Sequence, residues 1–269
     1  MSFEKSPQIN PKEQAPGVGK QAKHEEAGKI KQLFGHCFEI SKFNEGDRIP
    51  VGGENIFSPE VNIKVTGDFE NFKQFFAETS ELATKYNLLK LKEWLVSQGI
   101  EFDEKLFAAL FAFTKKFEEK YPDNPEKEKE RQKLYSDKGR EIKLSDIFNA
   151  NTAECAEVAA LAQGYLQQEG VSSTYFSGDV LWDKDWEFSE EHSFIVIRLR
   201  EKVYIYDPTN PTNTTSGKYP SIYTVGANFD EETARNQKIF VTATNLLSKR
   251  EAFYGVNDGT NVDPKRHIV

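Results

Sequence analysis

The chain has 269 residues, of which 38% are hydrophobic and 29% charged, with 21 Phe and a net charge of -8. That is enough apolar material for a packed core in one large domain or a domain with an extension. The acidic balance argues against nucleic-acid binding, which needs a basic footprint, and no apolar run approaches the ~20 residues of a membrane span.

Residues 1–29 are rich in Lys, Glu, Gln, Pro and Gly without periodicity, which predicts a disordered tail. The opening Met1-Ser2-Phe3-Glu4-Lys5 lacks the apolar segment of a signal peptide. Two cysteines, Cys37 and Cys155, make no disulfide framework. A reducing, cytoplasmic compartment is therefore the default expectation, with export by a route needing no cleavable signal left open. Spacings such as CxxC and HExxH are missing, so no metal site and no cofactor is expected.

From Ile30 to Val65 short alternating segments, Cys37-Phe38-Glu39-Ile40 and Val61-Asn62-Ile63-Lys64-Val65, read as strands. The period then becomes helical: Phe69, Phe72, Phe75, Phe76 and Leu82 form one stripe, Leu88–Val96 a second and Leu106–Phe117 a third. Gly99 fits a helix stop and Asp103 a helix start. The charged run Lys115–Glu141, with Pro122 and Pro125, reads as an exposed helix–loop linker. Beyond Leu144 a helix is followed by β-rich chain at Val171–Trp182, His192–Leu199, Val203–Asp207 and Lys238–Thr244, with Pro208–Gly226 read as a long loop.

Chemistry concentrates between Asn149 and Pro208. Asn151 or Thr152 is a good N-cap, so Cys155 falls in a first helical turn, where the positive end of the dipole favours a thiolate. Val158, Ala159, Ala162 and Leu166 continue the cysteine's face to a stop at Gly170. His192 shares a strand face with Phe194 and Val196, and Asp207 shares the next strand's face with Val203 and Ile205. A two-residue turn at Arg200-Glu201 sets Asp207 opposite Phe194; sliding it to Leu199-Arg200 sets Asp207 opposite His192. Both registers bring the imidazole and the carboxylate out on one face.

These residues suit a nucleophilic triad, with Cys155 attacking a carbonyl, His192 as base and acid, and Asp207 orienting the imidazole. The Cys155 N–H is the natural first oxyanion donor, with the Asn149 or Asn151 amide as candidates for the second. Trp182, Trp186 and Phe188 precede the histidine and are candidates for a substrate groove wall.

Thr-Ala-Glu-Cys155-Ala-Glu-Val-Ala-Ala, His192-Ser-Phe-Ile-Val-Ile and Tyr-Ile-Tyr-Asp207-Pro-Thr together resemble the transglutaminase-like core of the papain-like cysteine hydrolase superfamily, over residues about 140–210. The resemblance implies Cys155 as nucleophile, His192 as base and Asp207 as its partner. A tryptophan often follows the cysteine in true transglutaminases; Ala156 stands there instead, which argues against protein cross-linking. Other members are peptidases, deamidases or amidases.

The expected fold is α+β: a helical N-terminal layer, then a transglutaminase-like (papain-like) core with the cysteine helix packed on an antiparallel sheet. The expected division is a tail over 1–29, a mixed, mainly helical region over 30–140 and a catalytic core over 141–269. The expected function is a cysteine-dependent hydrolase of an amide or peptide bond, acting on a protein or peptide through an acyl-thioester. The alternatives are a transglutaminase-type transfer to an amine and a catalytically silent binding or scaffolding module. The oligomeric state stays open.

Overall fold

The computed structural model describes residues 30–33, 37–50, 64–138, 141–183, 189–200, 202–214, 217–225 and 240–255. The expected tail at 1–29 lies outside them, as do Trp186 and Phe188.

Six strands form the centre: β6 (Ser173–Leu181), β7 (Glu190–Leu199), β8 (Lys202–Thr214), β9 (Gly217–Val225), β10 (Val241–Asn245) and β11 (Glu251–Gly255). Each pairs antiparallel with the next, and β11 pairs back onto β6 through Phe253–Leu181, Tyr254–Val180 and Gly255–Asp179, closing a barrel. Closure leaves the six strands no free edge around the ring. Two further strands, β1 (Ile30–Leu33) and β2 (Cys37–Ile40), form a hairpin whose second strand pairs with β6 at Tyr175–Ser177. A separate mixed sheet joins β3 (Arg48–Pro50) antiparallel to β4 (Lys64–Thr66), which runs parallel to β5 (Glu141–Lys143).

Strand alternation divides the apolar residues between two cores. Phe176, Val180, Phe194, Val196, Val203, Ile205, Tyr223, Ala243, Ala252 and Tyr254 fill the barrel interior. The intervening Tyr175, Ile195, Ile197, Tyr204, Tyr206 and Ile222 face outward and join the larger core built with the helices.

Those helices are α1 (Lys73–Ala83), α2 (Leu89–Ser97), α3 (Glu104–Lys120), α4 (Lys127–Lys138), α5 (Leu144–Asn149) and α6 (Cys155–Gln168), with a 3-10 turn at Phe69–Phe72 before α1. Asp103 caps α3 by accepting the Leu106 N–H at 2.8 Å. The apolar stripes of α1, α3 and α6 meet ring to ring, Phe75 on Phe113 at 5.9 Å and Phe113 on Tyr165 at 5.8 Å. Each such fully buried ring is worth about 1.5–3 kcal/mol of apolar burial. Helix α6 is buried on nearly every side, and its alanines at 156, 159, 160 and 162 permit close approach to the sheet. It ends where Gly170 takes a positive φ of 72° and the Val171 N–H returns to the Leu166 carbonyl.

This architecture overturns the expected one. In place of a helical layer followed by a papain-like sheet, the described residues form a closed six-stranded antiparallel barrel and a small mixed sheet, with six α-helices among them. Alternating strands read alike in an open sheet and in a barrel. The difference lies in the pairing of β11 with β6, between segments far apart in sequence. Most of Pro208–Gly226, expected as a loop, belongs instead to β8 and β9, with an irregularity between Asp207 and Thr212. Its Thr and Tyr residues suit strands, and Pro208, Pro211 and Pro220 all fall where the β8–β9 pairing is interrupted. Within the expected Lys115–Glu141 linker, α4 buries Arg131 and Tyr135.

Gly178 lies opposite His192 in the β6–β7 pairing. A Cβ there would stand 2.5 Å from the Gly255 carbonyl oxygen and 2.8 Å from the Phe176 ring. The backbone oxygen belongs to the closing strand and cannot yield cheaply. Gly178→Ala is therefore expected to destabilise the protein by about 1–3 kcal/mol, read from urea unfolding midpoints. A midpoint unchanged from wild type would contradict so close an approach of β6 and β11.

Candidate active site

The β7–β8 hairpin takes the first of the two expected registers, with Leu199 opposite Lys202 and Ile195 opposite Tyr206. Arg200 adopts a positive φ of 54° at the turn, and Glu201 lies outside the described residues. His192, near the start of β7, and Asp207, in the middle of β8, then share one face at one end of the barrel.

His192 Nε2 lies 2.8 Å from Asp207 Oδ2, with the two side chains 7% and 0% exposed. An ionised carboxylate can only accept, so Nε2 carries a proton and donates it to Asp207. Nδ1 is thereby left free of Asp207, and the nearby Cys155 side chain adds to the raised imidazole pKa.

Asp207 is closely held. Its Oδ1 accepts the backbone N–H groups of Thr209 at 3.1 Å and Asn210 at 3.3 Å, while Oδ2 also accepts the Asn210 amide and the Tyr254 hydroxyl, each at 3.2 Å. Burial works against its charge, but His192 and these donors hold the carboxyl below its ordinary 3.8. Burial likewise opposes charge on the imidazole. Asp207 and Cys155 outweigh it, and the His192 pKa is raised from 6.5 to about 10.

Cys155 is the first residue of α6 and is partly exposed. The cap falls on Glu154, whose extended backbone N–H donates to Glu157 Oε2 at 2.9 Å, and not on Asn151 or Thr152. Asn151 has a positive φ of 51° and donates its side-chain amide to the Pro122 carbonyl at 2.8 Å. Its amide is thus engaged away from the thiol. Asn149 is exposed at the end of α5. At the first helical position the Cys155 N–H has no carbonyl four residues back within the helix, so it can serve a ligand oxygen.

Trp182 packs edge-on to the His192 ring at 5.4 Å and to Tyr254 at 6.2 Å, and its indole N–H donates to Glu190 Oε2 at 3.0 Å. It is half-buried and flanks the imidazole. Cys37 opens β2, and its side chain lies outside what is described.

Tyr254 was not foreseen from sequence: it stands 47 residues beyond Asp207 on the closing strand, and only barrel closure brings it here. Asn210 had a visible signal, since Asp-Pro-Thr-Asn is an Asx-turn sequence in which the aspartate accepts from the following backbone. A cavity of about 510 Å³ walled by Tyr86, Phe111 and Tyr219 includes none of the residues of this cluster.

Among the described residues no helix is long and apolar enough to cross a membrane, and no group of three or more His, Cys, Asp or Glu could hold a metal ion. No protein-family model, curated protein or solved structure matches the chain.

The two shifts fix a pH window for stability. The raised His192 pKa contributes fully below 6.5 and is lost as pH climbs through about 10, while the lowered Asp207 pKa contributes above 3.8 and is lost as pH falls through its folded value. The stability gap between wild type and Asp207→Asn is therefore expected to peak between pH 3.8 and 6.5 and to shrink on either side. Denaturant melts across pH measure it; a gap that keeps growing above pH 7 would contradict the assignment.

Proposed function

We propose that the protein is a cysteine-dependent hydrolase of amide bonds, acting on a protein or peptide substrate through Cys155, His192 and Asp207. The observation that carries this reading is the buried His192–Asp207 pair at 2.8 Å, with a partly exposed helix-start thiol near enough to the imidazole to help raise its pKa. The order of the three motifs resembles that of transglutaminase-like hydrolases, a resemblance of motifs and not of architecture.

The chemistry follows from the charges. With Asp207 holding the imidazole protonated, the proposed reaction starts from the Cys155 sulfur as a thiolate beside the imidazolium. The Cys155 sulfur attacks the carbonyl carbon, an S–C bond forms, and the carbonyl π pair moves onto oxygen, where the Cys155 N–H stabilises it. His192 gives its proton to the leaving nitrogen as the C–N bond breaks, leaving an acyl-thioester. The neutral imidazole then takes a proton from water as water attacks, and C–S cleavage restores the thiolate and releases the acid. Trp182, against the imidazole, limits water on one side of the ring.

Iodoacetamide tests the reading, since only a thiolate alkylates quickly. At pH 6, Cys155 is expected to react at least about tenfold faster than Cys37, and His192→Ala is expected to remove that advantage. Equal slow rates in wild type and variant would overturn the proposal. Acceptor choice is tested separately: with a peptide amide substrate and a primary amine present, the product is expected to be the free acid, and amine incorporation would replace hydrolysis with transfer.

A further inference from the structure

Two carboxylates flank the thiol along its own chain, Glu154 immediately before it and Glu157 two residues after. Glu154 adjoins the thiol in sequence and Glu157 sits within the same helical turn on another face; a charge on either would oppose a thiolate there, and Glu157 has no exposure to water that could screen it. Helix α4 answers both. Lys127 Nζ lies 3.0 Å from Glu154 Oε1, and Arg131 Nη2 lies 2.9 Å from Glu157 Oε1. The two cations are four residues apart and so share one face of α4.

The Arg131 anchor is extensive. Arg131 is 3% exposed, its Nη1 donates to the Thr152 carbonyl at 2.6 Å, and its guanidinium carbon lies over the Tyr135 ring at 5.1 Å. The other Glu157 oxygen accepts the Glu154 N–H that starts α6. Nearby, the Asn124 amide donates to the Asn151 carbonyl at 3.1 Å. The segment around α4 thus grips both the loop entering the cysteine helix and its first turn.

We propose that Arg131, aided by Lys127, is a positioning residue for the Cys155 thiolate: α4 supplies the counter-charges to Glu154 and Glu157 and fixes the helix start that carries the nucleophile. This rests on the reading of Cys155 as the nucleophile. The other titratable groups that interact with the thiol among the described residues are Tyr175 on β6 and His192 on β7, the latter paired in turn with Asp207 on β8. His192 and Asp207 set the acid–base partner; α4 removes the local opposition. Neutralising Glu157 in place leaves its bond to the Glu154 N–H, because an amide oxygen accepts as well.

The test is the ratio of Cys155 alkylation rates by iodoacetamide at pH 6 and pH 9, measured in the full chain. Arg131→Met is expected to lower that ratio about tenfold by leaving the Glu157 charge uncompensated. Arg131→Met combined with Glu157→Gln is expected to return it to within about twofold of wild type. A purely structural arginine would leave the double variant as low as the single one, since neither restores the bond to Thr152, and that result overturns the inference. If Arg131→Met does not fold, Lys127→Met is expected to lower the ratio about twofold and Glu154→Gln to reverse the loss; an unchanged ratio there overturns it equally. A wild-type Cys155 no faster than Cys37 at pH 6 would instead overturn the nucleophile reading itself.

Discussion

The buried pair of His192 and Asp207 imposes the tightest demand on this structure, because two ionised groups removed from water stand only while every lone pair and proton is satisfied. Asp207 meets that demand with donors from its own turn, Thr209 and Asn210, and from Tyr254 on the last described strand. The pair is therefore complete only when β11 has paired with β6 and the barrel is closed. Breaking a buried pair by removing one partner commonly costs about 3–5 kcal/mol, which links formation of the site to formation of the fold.

Around this pair the chain separates rigid support from accessible chemistry. The barrel interior behind His192 and Asp207 is apolar and aromatic, with Phe194 and Tyr254 in edge contact at 4.9 Å. The thiol arrives from outside, on a helix packed along β6, β7 and β8. A thiol at a helix start has a fixed position beside an unused backbone donor, the arrangement the proposed nucleophile needs, and α6 provides it at a partly exposed residue although most of the helix is buried. The polar helix α4, by contrast, holds to that region through the charged side chains of Lys127 and Arg131, joined by the Asn124 amide just before it.

The order Cys155, His192, Asp207 and the face shared by the last two were legible in the sequence, because strand period and a short hairpin turn fix parity whichever register is taken. The helix stripes at Phe75, Phe113 and Leu166 were legible for the same reason, a local period over a long segment. Closure of the barrel was not. It depends on Phe253 and Tyr254 finding Leu181 and Val180, a pairing that leaves no local mark. The cap was misplaced because Asn151 has high cap propensity, yet its left-handed backbone and its bond to Pro122 commit it elsewhere, leaving Glu154 at the boundary. Arg131 lay inside a charged run that reads as solvated face, and only tertiary structure shows its burial against Glu157.

The proposed role of Cys155, a nucleophile that carries an acyl group, is tested most directly by peptide-mapping mass spectrometry after reaction with p-nitrophenyl acetate. An acetyl adduct confined to Cys155, formed in a burst and absent in Cys155→Ala, is the result expected; its formation should slow in Asp207→Asn, where the imidazole loses its orienting charge. Acetylation at Cys37 alone, or a burst that persists in Cys155→Ala, would contradict the account.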